Sequence, residues 1–148
     1  PLTAQESQIH QDLMTATVNL ETLADVIETD LSASAKKLIE VDQPVTQTTQ
    51  NNFQRLYKEV HQSVDLAVRA IRDSDQQAAV QVLNKKRTIR DLAQNLLSHE
   101  SERLGDDLEE ALASARTEIS FIDKMRRTYR LARRIAKIAS PPAVVQDI

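Results

Sequence analysis

Apolar residues recur along this chain at alternating steps of three and four, the spacing of one face of an α-helix. The first stripe comprises Ile9, Leu13, Ala16, Leu20, Leu23, Ile27, Leu31 and Leu38. Three further stripes follow, separated by short polar segments. The second comprises Phe53, Leu56, Val60, Val64, Ala67 and Ile71, and the third comprises Ala79, Leu83, Ile89, Ala93 and Leu96 or Leu97. The fourth comprises Leu108, Leu112, Ala115, Ile119, Ile122, Met125, Tyr129, Ala132 and Ala136. The pattern predicts four helices, at about residues 3–40, 46–73, 75–104 and 106–140.

Helix-breaking and capping residues lie between the stripes. Pro44 ends the first helix, because the residue before a proline avoids the α conformation. Thr46, Thr48 or Thr49 is predicted to cap the second helix, and the segment Asp73-Ser74-Asp75 offers a cap for the third. Gly105 follows the third helix as its C′ residue, and Pro141-Pro142 ends the fourth. Short connections favour antiparallel neighbours, so residues 1–140 are predicted to form one elongated, all-α, up-down four-helix bundle, with residues 141–148 as a tail.

Composition supports this fold class. The 148 residues include one glycine, four prolines, four aromatic residues and no cysteine. Scarce glycine disfavours tight hairpins, and the few aromatics leave Leu, Ile, Val and Ala to build the core. A net charge of −3 gives no general case for nucleic acid as a partner. Because the chain begins at Pro1 rather than at methionine, it is expected to be a processed or excised piece of a longer protein.

An acidic surface is predicted on the first helix. Glu21, Asp25 and Glu28 fall beside the core stripe, on the same shoulder as Met14 and Val18. Like charges at i and i+4 cost an isolated helix about 0.2–0.5 kcal/mol, so a metal ion, an arginine or water is expected to compensate Glu21 and Asp25. Two such carboxylates can reach one hard cation together, but they are also common on solvated or salt-bridged faces.

A basic stripe is predicted on the fourth helix. Residues 124–137 hold seven cations and no acid. Four of these cations share a stripe beside the apolar one, namely Arg126, Arg130, Arg133 and Lys137. Such a stripe can meet anionic lipid, phosphate, nucleic acid or an acidic partner. It can also neutralise the acids of the first helix, if the first and fourth helices are adjacent.

Enzymatic activity is not expected. The chain has no cysteine, no GxSxG sequence and no glycine-rich phosphate loop. The histidines, His10, His61 and His99, lie on three different helices and have no metal-binding spacing. The short run Lys85-Lys86-Arg87 is interpreted as solvated.

Three segments resemble a known family. Residues 20–27, Leu-Glu-Thr-Leu-Ala-Asp-Val-Ile, are similar to the L-E-x-I-(A/G)-D-x-I helix of PhoU proteins, whose E-x-x-x-D acids ligate metal clusters. Residues 53–104 are similar in their apolar stripe and in the break after Ala70. Residues 120–139 resemble the D-L-L-R-D-L-R-R-I-N-S-H-I sequence of the cotransporter branch. The chain looks most like the PhoU-like domain that follows the membrane part of bacterial sodium/phosphate cotransporters.

The resemblance is incomplete at the metal site. The family's second E-x-x-x-D falls on Tyr129 and Arg133, and neither can replace a carboxylate ligand. Only Glu21 and Asp25 carry over, as a candidate site for a divalent or ferric ion. Of the two readings, we favour one without a cofactor, in which Arg133 stands opposite these acids and replaces metal charge with fixed charge.

The resemblance implies a bundle of the PhoU and spectrin kind and a non-catalytic role. The expected function is a regulatory or accessory domain of a sodium-dependent phosphate transporter, on the cytoplasmic side of the bacterial inner membrane. Its expected partner is the transmembrane portion, on the same polypeptide, with a homodimer as a further candidate. The alternatives are a free-standing PhoU-like adaptor in phosphate signalling, a metal-binding helical bundle and a purely structural bundle.

Overall fold

The computed structural model describes residues 1–40, 46–103 and 108–140, and all of its regular structure within these ranges is helical. The elements are α1 (Ala4–Asp25), a π-helical segment (Val26–Leu31), α2 (Ser32–Glu40), α3 (Gln47–Arg72), α4 (Gln76–Asn84), α5 (Lys86–Arg103) and α6 (Leu108–Ala139). The first three elements run on without a break as one rod, which we call the first rod, and α4 and α5 meet at Lys85. The described residues therefore form four rods, which confirms the four predicted helices. The predicted roles of Pro44, Gly105 and the tail at residues 141–148 lie outside the described residues.

The predicted caps are confirmed where the structure describes them. Among the three candidate threonines, Thr46 caps α3, because its side chain accepts a hydrogen bond from the backbone N–H of Thr49 at 3.2 Å. Asp75 caps α4 by accepting from the N–H of Ala78 at 3.0 Å. Each cap satisfies a backbone donor that the first helical turn leaves unpaired, which fixes where the helix begins.

The core lies where α3, α4 and α5 pack against α6, which also contacts the first rod. The predicted stripes of the second, third and fourth helices supply most of this core. The largest fully buried apolar side chains are Leu56, Leu83, Ile89, Leu96, Ile122, Met125, Ile135 and Val82. The structure is therefore a helical bundle with α6 in contact with every other rod.

The predicted stripe of the first helix is only partly buried. Ala16 and Leu23 are in the core, but Ile9 and Leu13 are 52% and 59% exposed. These two side chains border an open groove that Ile71 and Ile138 also line. The expectation that Ile9 and Leu13 belong to the core is wrong, because α1 packs chiefly on α6 and makes few contacts with α3, α4 and α5.

The π-helical segment explains a second departure in the same stripe. Val26 is buried, whereas Ile27, which was expected in the core, is 36% exposed. The backbone N–H of Ser32 donates to the carbonyl oxygen of Ile27, five residues earlier. Because this turn contains more residues than an α-helical turn, it changes which side chains face the bundle. The π-helical segment begins directly after Asp25.

None of the helices in the described ranges combines the length and the apolar character that a membrane-crossing helix needs.

Candidate functional site

The acidic surface predicted on the first helix is exposed. Glu21 and Asp25 lie one turn apart at the end of α1, and both side chains are exposed, as is that of Glu28 in the π-helical segment. Val18, one turn earlier, and Met14, two turns earlier, are each 58% exposed. We call these five residues the acidic shoulder. Its two apolar members have no cover in the bundle, so the shoulder is an amphipathic surface rather than a fully polar one.

The expected neutralisation of these acids by Arg130 or Arg133 is not observed. Among the described residues, neither Glu21 nor Asp25 belongs to an ion pair, although α1 and α6 are adjacent as that reading required. The reason is orientation, because Arg130 and Arg133 project from α6 into a cleft shared with α5. No described side chain therefore compensates the charge of these two acids.

Two other side chains of α6 form polar contacts with the first rod. Arg127 forms an ion pair with Asp30 at 3.6 Å, and the Lys124 amine donates to the Ser34 hydroxyl at 2.8 Å. Ser34 is buried, so this hydrogen bond lies inside the contact. One face of α6 therefore contacts the first rod, and a different face carries the arginines of the basic stripe.

The donor set does not fit the multinuclear metal cluster that the resemblance implies. In the ranges that the structure describes, no group of three or more His, Asp or Glu side chains converges. The position where the family places a second acid holds Tyr129, which is buried and already hydrogen-bonded. Glu21 and Asp25 remain a pair of carboxylates on an open surface.

The three arginines of the basic stripe on α6 form one wall of a cleft between α5 and α6. Arg126, Arg130 and Arg133 line it from α6, and Lys86 and Arg90 line it from α5. We call the open groove lined by these five cations the basic cleft, and the space between its lining residues, including the part open to solvent, is about 590 Å³. No carboxylate is among the described side chains that line it. The cleft therefore concentrates positive charge in a concave site on a chain whose net charge is negative.

Two buried side chains form the base of the basic cleft. Ile89 and Tyr129 are almost fully buried there. The Tyr129 hydroxyl donates to the carbonyl oxygen of Val82 at 2.8 Å, and this bond joins α6 to α4. Burial raises the pKa of Tyr129 to about 12, and the nearby Arg133 guanidinium opposes this shift. The base is thus apolar and neutral, which strengthens electrostatic interactions at the cations around it.

Two of the cleft cations, Arg90 and Arg126, form local ion pairs at the surface. Arg90 contacts Asp91 at 3.3 Å, and Arg126 contacts Asp123 at 3.8 Å, in both cases on the same exposed helix surface. Such surface pairs contribute little because water screens them. Arg130 is exposed and has no ion-pair partner among the described residues.

Lys137 is the fourth member of the basic stripe, and the positive charge of the nearby cations shifts its pKa. Its pKa is held below the ordinary value chiefly by Arg133, then by burial and by Lys86 and Arg134. Positive charge around Lys137 therefore outweighs the negative charge that the described residues bring to it.

The α5 side of this cleft was not predicted from the sequence. The run Lys85-Lys86-Arg87 was interpreted as solvated, yet Lys85 is partly buried and binds the Glu59 carboxylate at 2.5 Å. Lys86 turns to the cleft instead. The spacing of Lys86 and Arg90, four residues apart and flanking the core residue Ile89, is the signal that places both on the edge of the buried face.

Comparison of the chain with protein-family models, with curated proteins and with solved structures gives no match.

Proposed function

We propose that this bundle is a non-catalytic regulatory or accessory domain of a sodium-dependent phosphate transporter, bound to the transmembrane portion on the cytoplasmic side of the bacterial inner membrane. One observation carries the proposal: Glu21 and Asp25 stay exposed and unpaired within the described residues, beside the uncovered side chains of Met14 and Val18. Because these acids form no ion pair with the arginines of α6, their charge is available to a partner.

The chemistry of the acidic shoulder suits a partner at the membrane. Cytoplasmic loops of membrane proteins carry an excess of Lys and Arg. Glu21, Asp25 and Glu28 complement such loops in charge, and Met14 and Val18 supply apolar area that loses water on contact. The similarity of residues 20–27 to the acidic helix of the PhoU family supports phosphate transport as the process concerned.

An antiparallel, up-down order of the four rods is part of the proposal. Lys124 contacts Ser34 and Arg127 contacts Asp30, so positions that ascend along α6 meet positions that descend along the first rod. This pairing supports opposite directions for these two rods. It leaves the shoulder accessible along the outer side of α1.

The proposal is tested by phosphate uptake in the bacterium that carries the gene. Cells lacking this coding region are complemented with the wild-type sequence, with the double variant Glu21→Lys/Asp25→Lys, or with Glu109→Lys, which reverses an exposed acid of α6 outside the shoulder. We expect the deletion to change the rate of labelled phosphate uptake. The wild type and the Glu109 variant should restore that rate, and the double variant should not.

Protein abundance in each strain is measured by immunoblot, so that loss of the chain is not mistaken for loss of contact. Uptake that is unaffected by deletion would contradict a role in transport. Unchanged uptake together with altered expression of phosphate-responsive genes would favour the free-standing adaptor instead.

A further inference from the structure

The first rod is attached to the rest of the bundle chiefly through α6. Its three elements pack on α6 and make few contacts with α3, α4 and α5. The other three rods pack against one another, because α3 contacts α4 and α5 and all three of these helices contact α6. We call α3, the α4–α5 rod and α6 the three-rod core. The described structure is therefore a core in which each rod contacts the other two, with the first rod added beside α6.

Few apolar side chains of the first rod are buried. Over residues 4–40, all of which the structure describes, the buried apolar side chains are Ala16, Leu23 and Val26. Helix α4 contributes four buried apolar side chains from only nine residues. Five large apolar side chains of the first rod are more than half exposed, namely Ile9, Leu13, Met14, Val18 and Ile39. Separation of the first rod therefore exposes less apolar area per residue than separation of α4, and apolar burial is the main force that holds helices together.

Polar contacts supply part of the attachment. The Lys124 amine donates to the buried Ser34 hydroxyl at 2.8 Å, and Arg127 pairs with Asp30 at 3.6 Å. The Arg127 and Asp30 side chains are 51% and 38% exposed, so water screens this pair. When the rod separates, hydrogen bonds to water replace the bond between Lys124 and Ser34, which reduces its net contribution. Both contacts can therefore open at a modest cost in free energy.

The helices of the first rod depend on their packing. Most helical stability in proteins comes from tertiary contacts of an amphipathic face rather than from intrinsic propensity. The rod also contains the π-helical segment Val26–Leu31, a geometry that is rare and that often occurs at functional sites. Backbone amides of the rod should therefore lose their protection when the rod leaves α6, so amide hydrogen exchange reports the separation.

We propose that the first rod separates from α6 and loses its helical structure as a local unit while the three-rod core stays folded. This opening frees Lys124 and Arg127 from their partners on the rod. The acidic shoulder lies on the rod that opens, and its acids share one face only when the rod is helical. A partner that binds this face shifts the equilibrium toward the closed state. That last consequence rests on the function proposed above, whereas the opening itself does not.

Hydrogen–deuterium exchange of the purified full chain, followed by mass spectrometry of its peptides, measures the opening. The rates are corrected for the intrinsic exchange of each sequence. We expect amides of α1 and α2 to exchange about a hundredfold or more faster than those of α3, because segments with few buried apolar contacts open locally. Exchange of α1 and α2 should also depend less steeply on urea, since a local opening exposes less surface than global unfolding. Equal protection and equal urea dependence in α1, α2 and α3 would overturn the proposal.

Two lysine variants separate local opening from global unfolding. Lys124→Met removes the bond to Ser34 and keeps an unbranched side chain, so it should speed exchange of α1 and α2 about tenfold and leave α3 unchanged. Lys85→Met is the matched control, because Lys85 pairs with Glu59 of α3 inside the three-rod core. It should leave exchange of the first rod unchanged, since the local opening does not require the core to unfold.

Circular dichroism of both variants checks that the helices are intact. Asp30→Asn, which removes the ion pair with Arg127, provides a second variant of the same contact if Lys124→Met does not fold. It should also speed exchange of α1 and α2 and not of α3. Equal acceleration of the first rod and α3 by either of these variants, or the same acceleration of the first rod by Lys85→Met, would overturn the proposal.

Discussion

The hydroxyl of Tyr129 donates a hydrogen bond to the backbone carbonyl of Val82 at 2.8 Å. The two residues are 47 positions apart in sequence, so this bond joins α6 to α4 directly. It satisfies a buried phenol that would otherwise be costly to desolvate. It also places Tyr129 at the base of the basic cleft, where it supports the position of the arginines on α6.

Alkaline pH should weaken the fold through Tyr129. Its pKa in the folded chain is raised to about 12 by burial, above the ordinary value of 10.0. The unfolded chain therefore loses this proton first, and stability that is complete below pH 10 declines as the pH rises toward 12. Ultraviolet absorbance of tyrosinate should show a late step that Tyr129→Phe removes and Tyr57→Phe retains. A titration in which Tyr129→Phe changes only an early step would contradict the burial of this phenol.

The charge of the cleft predicts the titration of Lys137. Its pKa in the folded chain lies below 10.5, with Arg133 as the largest cause. The folded chain releases this proton before the unfolded chain does, so stability should increase as the pH rises from the lowered pKa to 10.5. In ¹³C NMR of the lysine side chains, Arg133→Gln should move the Lys137 titration toward its ordinary value. Arg87→Gln should leave it in place, and a Lys137 signal unaffected by Arg133→Gln would show that the cations are not close in solution.

Substitution by alanine should lower stability more at a buried position of the apolar stripes than at an exposed one. Ile122 is fully buried, and Ile122→Ala should lower the free energy of unfolding by about 2–5 kcal/mol. Ile9→Ala removes the same atoms at a side chain that is 52% exposed, and it should cost about 0.5 kcal/mol or less. Urea unfolding of both variants measures the difference. Similar losses would mean that another surface, such as a second copy of the chain, covers Ile9 in solution.

The connection between α3 and α4 contains a residue in an unfavourable conformation. Ser74 has a φ of 53°, in the left-handed region, directly after the cap residue Asp73 of α3. The next N–H, from Asp75, donates to the carbonyl of Ala70 at 3.1 Å, which completes a C-terminal capping motif. Ser74→Gly should raise the free energy of unfolding by about 0.5–1 kcal/mol, because glycine adopts this φ without strain. Ser74→Ala keeps a Cβ atom and should give no gain, and stabilisation by both variants would exclude this explanation.

Helical periodicity was sufficient for the buried elements of the fold. The stripes through Leu56, Ile89 and Ile122 identified core faces correctly, because each of these helices packs over most of its length. The first rod departed from its pattern at Ile27, since a π-helical turn changes which residue faces the core. No residue type marks such a turn, so spacing alone does not reveal it.

The candidate surfaces, too, could be predicted only in part from the sequence. The sequence singled out Arg126, Arg130 and Arg133 as one stripe, and the structure places them in one cleft. It did not reveal which helix faces them, because the contact between α5 and α6 depends on how the whole bundle packs. Arg133 was therefore expected opposite Glu21 and Asp25, although it lines the cleft with α5.

In the function that we propose, the acidic shoulder of this chain contacts the membrane portion of a phosphate transporter. The most direct measurement places a photo-crosslinking amino acid at the position of Val18 and irradiates living cells, with the position of Arg87, outside the acidic shoulder, as the control. Mass spectrometry then identifies the adducts. We expect an adduct between position 18 and a membrane-embedded phosphate transporter, or that part of the same polypeptide, and none from position 87. Adducts at position 18 with soluble proteins only, or with a second copy of the chain only, would contradict it.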